Sequence, residues 1–267
     1  MITRMAMTAA AERLTQSMAD FPASGVSASA APLSSGPGCA DAPAASLLPL
    51  FAWLSPSFPV GAYAYSHALE WAIEAGDIVR EDTLQPWLAD LLTHGFARSD
   101  AILLAHGFDA ARAGDAPRLR SLNALAVALA PSAELRLETC QQGRSFLEAV
   151  QAAWPHPALT TLAPALAGET AYPLALGLAA AAHGLPKGVV IEAFLLALMQ
   201  TLVSAAVRLA PIGQTGGTRV LAALAPDVAV LARAIPALSL DDLGSATFRA
   251  DLGSFRHETQ YTRLFRS

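Results

Sequence analysis

Apolar residues recur at helical spacing over most of the chain beyond residue 47. In one segment the positions i, i+3, i+4, i+7 and i+8 are occupied by Leu84, Trp87, Leu88, Leu91 and Leu92. Asp82 and Gln85 resemble a capping box at the start of this segment, and Pro86 falls in a first helical turn that tolerates proline. The pattern predicts an amphipathic helix with one buried face.

Two further segments extend this pattern. The first has apolar or small residues at the same spacing, and Pro155 ends it; its positions are Gly143, Phe146, Leu147, Val150 and Trp154. The second, residues 189–209, is apolar on every side, which is typical of a central helix surrounded by others. Alternating strand patterns are scarce. We therefore predict an all-α fold, a single-domain bundle of about eight to ten helices without a sequence repeat.

The first 45 residues differ from the rest of the chain. They are rich in Ala, Ser, Pro and Gly and lack periodic apolar positions, so they cannot bury enough surface to offset the entropy of ordering. We predict a flexible extension over residues 1–45 and an all-helical domain over 46–267. The opening MITRMAMTAAAERL is too polar for a secretory signal, and a targeting peptide is a weaker alternative.

The composition requires that much apolar surface be covered. Apolar residues make up 54% of the chain and charged residues only 15%. A membrane span needs about 18 to 20 consecutive apolar residues. The run 193–207 is shorter and includes Gln200 and Ser204, and the run 170–186 is interrupted by Pro173 and contains His183. Both predict buried helices, and no membrane association is expected.

Charge and cysteine content exclude further classes of partner. The formal net charge is −5 and Lys187 is the single lysine, which argues against a basic surface for nucleic acid. Cys39 and Cys140 are far apart and form neither a disulfide framework nor a Cys-x-x-Cys pair. A reducing, cytoplasmic location is expected.

Motifs for catalysis are absent from the sequence. GQTGGTR, residues 213–219, resembles a phosphate-binding loop, but Thr218 stands where a P-loop needs Lys, and a helix rather than a strand precedes it. A Gly-rich corner between two helices, with Thr215 or Thr218 as helix cap, is the favoured interpretation. No Gly-x-Ser-x-Gly motif occurs. A site assembled from distant Ser, His and Asp residues stays open, but we expect no enzyme.

One group of side chains could hold a metal ion. His67, Glu70 and Glu74 lie at i, i+3 and i+7, which would align an imidazole and two carboxylates on one side of a helix. No fourth ligand or His-x-x-x-His pair lies nearby, so a solvated helix edge is favoured over a site for a divalent cation.

Two segments have compositions unlike either core or ordinary loop. The first, LSPSFPVGAYAYSHALEW at 54–71, combines prolines, glycine and tyrosines in a turn that opens a helix. The second, RHETQYTRLFRS at 256–267, alternates Arg with aromatic and apolar residues, a composition enriched at protein interfaces. We expect residues 254–267 to form a partner-binding tail, although a docked or frayed terminal helix fits the composition equally well.

These segments resemble UreF, an accessory protein family of nickel urease maturation. The similarity continues through FARSDAILLAH (96–106), ETCQQGRSF (138–146), YPLALGLAAAAHGL (172–185), LVSAAVRLAPIGQTGGTR (202–219) and DDLGS (241–245). It covers nearly everything after residue 47. The blocks occur in order, which makes chance similarity very improbable.

The resemblance implies a function as well as a fold. It implies a non-catalytic helical scaffold, usually a homodimer, that bridges the accessory protein UreD (UreH) and the GTPase UreG and delivers nickel to apo-urease. Modulation of the GTPase is a further expectation. No cofactor would be bound tightly, because the partner proteins would handle nickel and GTP. The alternative is a nickel-binding carrier that uses the His67, Glu70 and Glu74 helix face.

The resemblance also implies which residues bind partners. Tyr65, with Gly61 and Ser66, matches a Gly-x-Phe-Ser-Tyr-Ser block. The positions that match the segment docking on UreD are Arg256, His257, Glu258, Tyr261, Arg263, Phe265 and Arg266. This sequence departs from the family pattern at five positions, which are Tyr63, Ala64, Ala68, Gly216 and Thr218. These departures put a universal polar role for those positions in doubt.

Overall fold

The computed structural model describes residues 46–267. The predicted extension, residues 1–45, lies outside the described residues, and its flexibility stays a prediction. Within residues 46–267 there are eight α-helices of ten or more residues, three of six residues and no strand. The predicted all-α fold is confirmed.

The helices are numbered in chain order. The first six are α1 (Leu48–Trp53), α2 (Leu69–Glu74), α3 (Glu81–Thr93), α4 (Phe96–Arg112), α5 (Ala116–Ala128) and α6 (Ala133–Ala153). The last five are α7 (Pro157–Leu162), α8 (Tyr172–Ala182), α9 (Lys187–Arg208), α10 (Gln214–Ala234) and α11 (Phe248–His257). Short 3₁₀ turns connect several of them, including Ala62–Ala64 before α2.

Local side-chain caps explain several helix starts. Asp115 accepts the Arg118 N–H at the start of α5, and Ser132 accepts the Leu135 N–H at the start of α6. The capping box predicted for α3 is wrong. The helix begins at Glu81, and the Thr83 hydroxyl accepts the backbone N–H of residues 79 and 80 instead, which leaves Pro86 inside the helix on an exposed surface.

The centre of the bundle is the crossing of α4 and α8. Two glycines allow this crossing, because a Cβ at Gly177 would lie 2.8 Å from the Leu104 carbonyl oxygen and one at Gly107 would lie 2.5 Å from a methyl of Leu174. A Cβ at Gly143 of α6 would lie 2.0 Å from the Thr170 carbonyl oxygen, so α6 also approaches the backbone before α8 closely. Backbone proximity thus replaces larger side chains at the core of the fold.

Helix α9 is less central than its composition predicts. Its inner face is fully buried, but Glu192, Leu196, Gln200 and Ser204 recur every four residues on an exposed outer stripe. By length and composition, α9 and Gln214–Ala237 could each cross a membrane, and 50% and 28% of their most apolar windows are buried in the fold. The apolar run 193–207 thus lies within a helix that is long enough to span a membrane, but half of the most apolar window of that helix is buried against the rest of the bundle.

Candidate partner-binding site

The turn before α2 takes an unusual backbone path. Gly61 has φ +75°, and the consecutive residues His67 and Ala68 have φ +53° and +60°, a left-handed conformation that costs energy in residues with a Cβ. This path directs Tyr65 and Ser66 inward, where they are 1% and 0% exposed. The Tyr65 hydroxyl donates to Gln141 Oε1 at 2.7 Å.

The tail lies directly against this turn. The backbone N–H and the hydroxyl of Ser66 both donate to the Ser267 carbonyl oxygen, at 2.9 and 2.5 Å. The Arg266 N–H donates to the Ala64 carbonyl oxygen at 2.9 Å. The two segments that the sequence identifies separately are therefore parts of one site.

Glu70 organises the inner side of the tail. Its carboxylate accepts the backbone N–H of Leu264 at 2.7 Å and of Phe265 at 2.9 Å, and it lies 3.3 Å from His257 Nε2. Glu70 itself is only 7% exposed. A buried carboxylate requires hydrogen-bond donors, and the tail backbone supplies two of them.

His257 lies between two carboxylates and is 0% exposed. Its Nδ1 is 2.6 Å from Glu134 Oε2, opposite the contact of Nε2 with Glu70. Glu134 also accepts a hydrogen bond from Arg263 at 2.5 Å. Both ring nitrogens of His257 therefore face a carboxylate oxygen.

Phe265 anchors the end of the tail. Its side chain is 4% exposed, and the Arg208 guanidinium of α9 lies 4.2 Å from the ring centroid. Arg208 also donates to the Tyr63 carbonyl oxygen. An aromatic ring beneath a cation joins the tail, α9 and the turn before α2.

The outer side of the same region is apolar and exposed. Phe248, Leu252 and Phe255 occupy positions i, i+4 and i+7 of α11 and are 78%, 47% and 50% exposed. Tyr261 and Leu264 of the tail are exposed as well. We call these five residues the outer apolar surface. Its three α11 residues are not among the partner-binding residues predicted from the sequence, although their helical spacing could have revealed them.

The structure sorts the predicted partner-binding residues into two groups. Tyr65, Ser66, His257 and Phe265 are buried and contact other parts of this chain. The remaining members lie at least partly on the surface; they are Gly61, Arg256, Glu258, Tyr261, Arg263 and Arg266. Only this second group is placed to contact a partner while the tail stays docked.

The three metal-ligand candidates have separate partners. The His67 ring stacks on Phe96 with centroids 3.6 Å apart, Glu70 accepts the tail amides, and Glu74 accepts a hydrogen bond from Gln260. The solvated helix edge expected for these residues is wrong for Glu70, which is buried. Across residues 46–267, no group of three or more His, Cys, Asp or Glu residues is arranged to hold a metal ion.

Asp100 of α4 borders a second feature, a cavity of about 120 Å³ that His67 also lines. Burial raises the pKa of the Asp100 carboxyl to about 7, His67 opposes this rise, and the Glu138 carboxylate adds to it. His67 Nδ1 lies 3.5 Å from Glu138 Oε2. Two of the sequence blocks that resemble UreF thus each place a titratable side chain at this cavity, and Glu138 of a third block lies beside His67.

The Gly-rich corner has a structural role. Gly213 caps α10 without a side-chain bond, so the predicted Thr215 or Thr218 cap is not formed, and Thr218 donates instead to the Gln214 carbonyl oxygen. A Cβ at Gly216 would lie 2.3 Å from Glu81 Oε1. Glu81 forms a bidentate pair with Arg219, which lowers the pKa of the Glu81 carboxyl.

The fold and this site define a class: a helical protein whose most distinctive surface is an organised terminal segment with an apolar outer side. The UreF family model matches residues 78–225. A protein of Xanthobacter autotrophicus, named urease accessory protein UreF, is 74% identical over 228 residues, which is 85% of this chain and 93% of that relative. The chain therefore belongs to the UreF family of urease accessory proteins.

Other relatives with the same name are similar over comparable lengths. The protein of Azorhizobium caulinodans is 68% identical over 222 residues, 83% of this chain and 96% of the relative. A protein of Rhodopseudomonas palustris is 52% identical over 239 residues, 90% of this chain and 96% of the relative. The similarity thus spans nearly the full length of the relatives.

Proposed function

We propose that this chain is a non-catalytic, cytoplasmic scaffold that assembles with UreD (UreH) and the GTPase UreG to insert nickel into apo-urease. Nickel and GTP are handled by the partners, and modulation of the GTPase is a secondary role. Membership of the UreF family of urease accessory proteins supports a role in urease maturation. The absence of a P-loop motif in the sequence agrees with a nucleotide bound elsewhere.

One observation supports the binding role most strongly, the outer apolar surface. Large apolar residues on one exposed helix face are typical of a surface covered by a partner. Arg256 and Arg263 lie beside them and are exposed, and Arg and aromatic residues are the types enriched at interfaces. We assign this surface to UreD.

The homodimer is proposed on a different surface. Val230 of α10 is 60% exposed and Leu196 of α9 is 36% exposed, and Ala222 and Ala225 of α10 are exposed as well. The window within Gln214–Ala237 is only 28% buried despite its hydropathy. A second copy would cover this apolar surface.

Co-elution with UreD tests the assignment. We expect Leu252→Asp to abolish co-elution, since a charge would be buried at the centre of the contact. Val79→Asp is the matched control, because Val79 is 51% exposed and Leu252 is 47% exposed, on different elements. Unchanged co-elution of the Leu252 variant would refute the assignment of the outer apolar surface to UreD. A deletion of 256–267 is less specific, because it also removes the buried Phe265.

The alternative function, a nickel-binding carrier, is tested by calorimetry. If His67 is a ligand, Ni²⁺ binding to the wild type should weaken strongly in His67→Ala. The separate partners of His67, Glu70 and Glu74 do not favour this function. We therefore expect calorimetry to give the same Ni²⁺ binding for the wild type and for His67→Ala.

A further inference from the structure

An open groove lies between α3 and the start of α11, beside the outer apolar surface. Its volume is about 570 Å³, and its lining consists of Trp87, Asp90, Leu91, His94 and residues 246–250. A hydrogen bond joins the two walls, because the Ala246 N–H donates to the His94 carbonyl oxygen at 2.8 Å. A side chain of a partner protein would therefore enter a site that is already formed, which lowers the entropy cost of binding.

Aromatic rings border this groove on both walls. Trp87 of α3 is partly exposed, and Phe248 of α11 is 78% exposed. Phe248 also belongs to the outer apolar surface, so a protein that covers this surface reaches the groove as well. The faces of aromatic rings attract cations, and the planar guanidinium of arginine stacks on them.

The charges of the lining favour a cation as the occupant. The titratable residues that line the groove are Asp90, His94 and Arg249. Arg249 is already engaged, since it pairs with Asp77 at 2.9 Å and its guanidinium lies 4.6 Å from the ring centroid of Trp71. Asp90 is exposed and takes part in none of the ion pairs formed within residues 46–267. The Asp90 carboxylate therefore lacks a counter-charge.

We propose that this groove receives an arginine side chain of the protein that covers the outer apolar surface. The inference rests on the assignment of that surface to UreD. The guanidinium pairs with the Asp90 carboxylate and stacks on an aromatic ring of the lining, two contacts that an arginine makes at the same time. The contact with the partner then extends from α11 to α3, and the ion pair fixes its register.

The affinity of the purified full-length chain for UreD, measured by calorimetry, tests the proposal. Asp90→Lys should weaken binding at least about 30-fold, because it places a cation where the arginine would lie, and Asp90→Asn should weaken it about tenfold. Both substitutions are at an exposed position and should leave the fold intact. Glu148→Lys, at an exposed position of α6 outside the groove, is the matched control and should bind as the wild type does.

Two further measurements identify the occupant as a cation held against a ring. Binding of the wild type should weaken as salt is added, and binding of Asp90→Asn should depend less on salt, because an exposed ion pair is screened. Trp87→Ala should bind about fivefold more weakly, whereas Trp87→Phe, which keeps an aromatic ring, should stay within about twofold of the wild type.

The outcomes separate this proposal from the assignment on which it rests. If Leu252→Asp abolishes binding while Asp90→Lys and Asp90→Asn bind as tightly as the wild type, the groove inference alone is overturned. Tighter binding of Asp90→Lys would overturn it too, since the occupant would then be an anion. Unchanged binding of Leu252→Asp would instead refute the assignment of the outer apolar surface to UreD, and the groove inference with it.

Discussion

The inner and outer sides of the C-terminal segment differ in chemistry. The inner side is a polar network in which the buried Glu70 and His257 share a contact, and His257 also contacts the partly buried Glu134. The outer side presents Phe248, Leu252 and other large apolar residues to solvent. This is the reverse of the usual arrangement, in which apolar side chains are inside and polar ones outside.

The difference separates two functions within one short segment. The polar network fixes the position of the tail, because buried carboxylates need specific donors and tolerate few alternatives. The apolar side is then held in a defined geometry before any partner arrives, which reduces the entropy cost of binding. Substitutions on the inner side should affect stability, and those on the outer side should affect assembly.

The largest expected effect on stability comes from Glu70→Gln. The amide presents an N–H₂ group to a site where three donors converge, so we expect the free energy of unfolding to fall by about 3 kcal/mol. Chemical denaturation measures this change. Glu74→Gln, at an exposed position one turn later, is the control and should cost about 0.5 kcal/mol or less. Equal effects of the two substitutions would contradict the role of Glu70.

A smaller, pH-dependent effect is expected at Asp100. Its pKa in the folded chain is about 7, above the ordinary value of 3.8, so the folded state holds a proton that the unfolded state has released. Stability contributed by this group is present below about pH 4 and is lost as the pH rises through 7.

Asp100→Asn removes this titration. Relative to wild type, we expect the free energy of unfolding of the variant to rise by about 2 kcal/mol between pH 4 and pH 8. This is less than the full pKa shift of Asp100 implies, because the carboxyl borders a cavity. Denaturation at several pH values measures it. The exposed Asp90→Asn variant should follow the wild-type profile, and a flat difference between wild type and Asp100→Asn would refute the raised pKa.

The smallest effect on the inner side is expected at Tyr65. Tyr65→Phe removes the hydrogen bond to Gln141 and keeps the ring, which should cost about 1 kcal/mol. Tyr63→Phe, whose side chain is 73% exposed, should leave the thermal midpoint unchanged. A destabilisation in the Tyr63 variant as large as that in the Tyr65 variant would show that the buried hydroxyl has no special role.

The sequence predicted the helical fold because apolar spacing in segments such as 84–92 reports burial directly. It was less accurate for α9, since apolar composition does not distinguish a surrounded helix from one with an exposed outer stripe. Composition singled out the two segments of the site and the resemblance gave them a partner-binding role, but neither predicted their mutual contact. The hydrogen bonds of Glu70 to Leu264 and Phe265 join residues almost 200 positions apart, and no local pattern encodes such a pairing.

Residue spacing also gave a wrong prediction where the backbone leaves the helix. His67, Glu70 and Glu74 have the spacing of one helix face, but the left-handed residues His67 and Ala68 precede α2 and turn the imidazole toward Phe96. The predicted metal-ligand set depended on a continuous helix through His67. This backbone path could not be read from the residue types, because non-glycine residues rarely adopt it.

Amide hydrogen exchange at Leu264 and Phe265 tests most directly whether the inner network holds the tail in place. In the isolated chain we expect both amides to exchange slowly, because their N–H groups donate to the buried Glu70 carboxylate. Protection should be lost in Glu70→Gln and kept in Leu252→Asp. Exchange of both wild-type amides at the rate of an unstructured peptide would contradict the account.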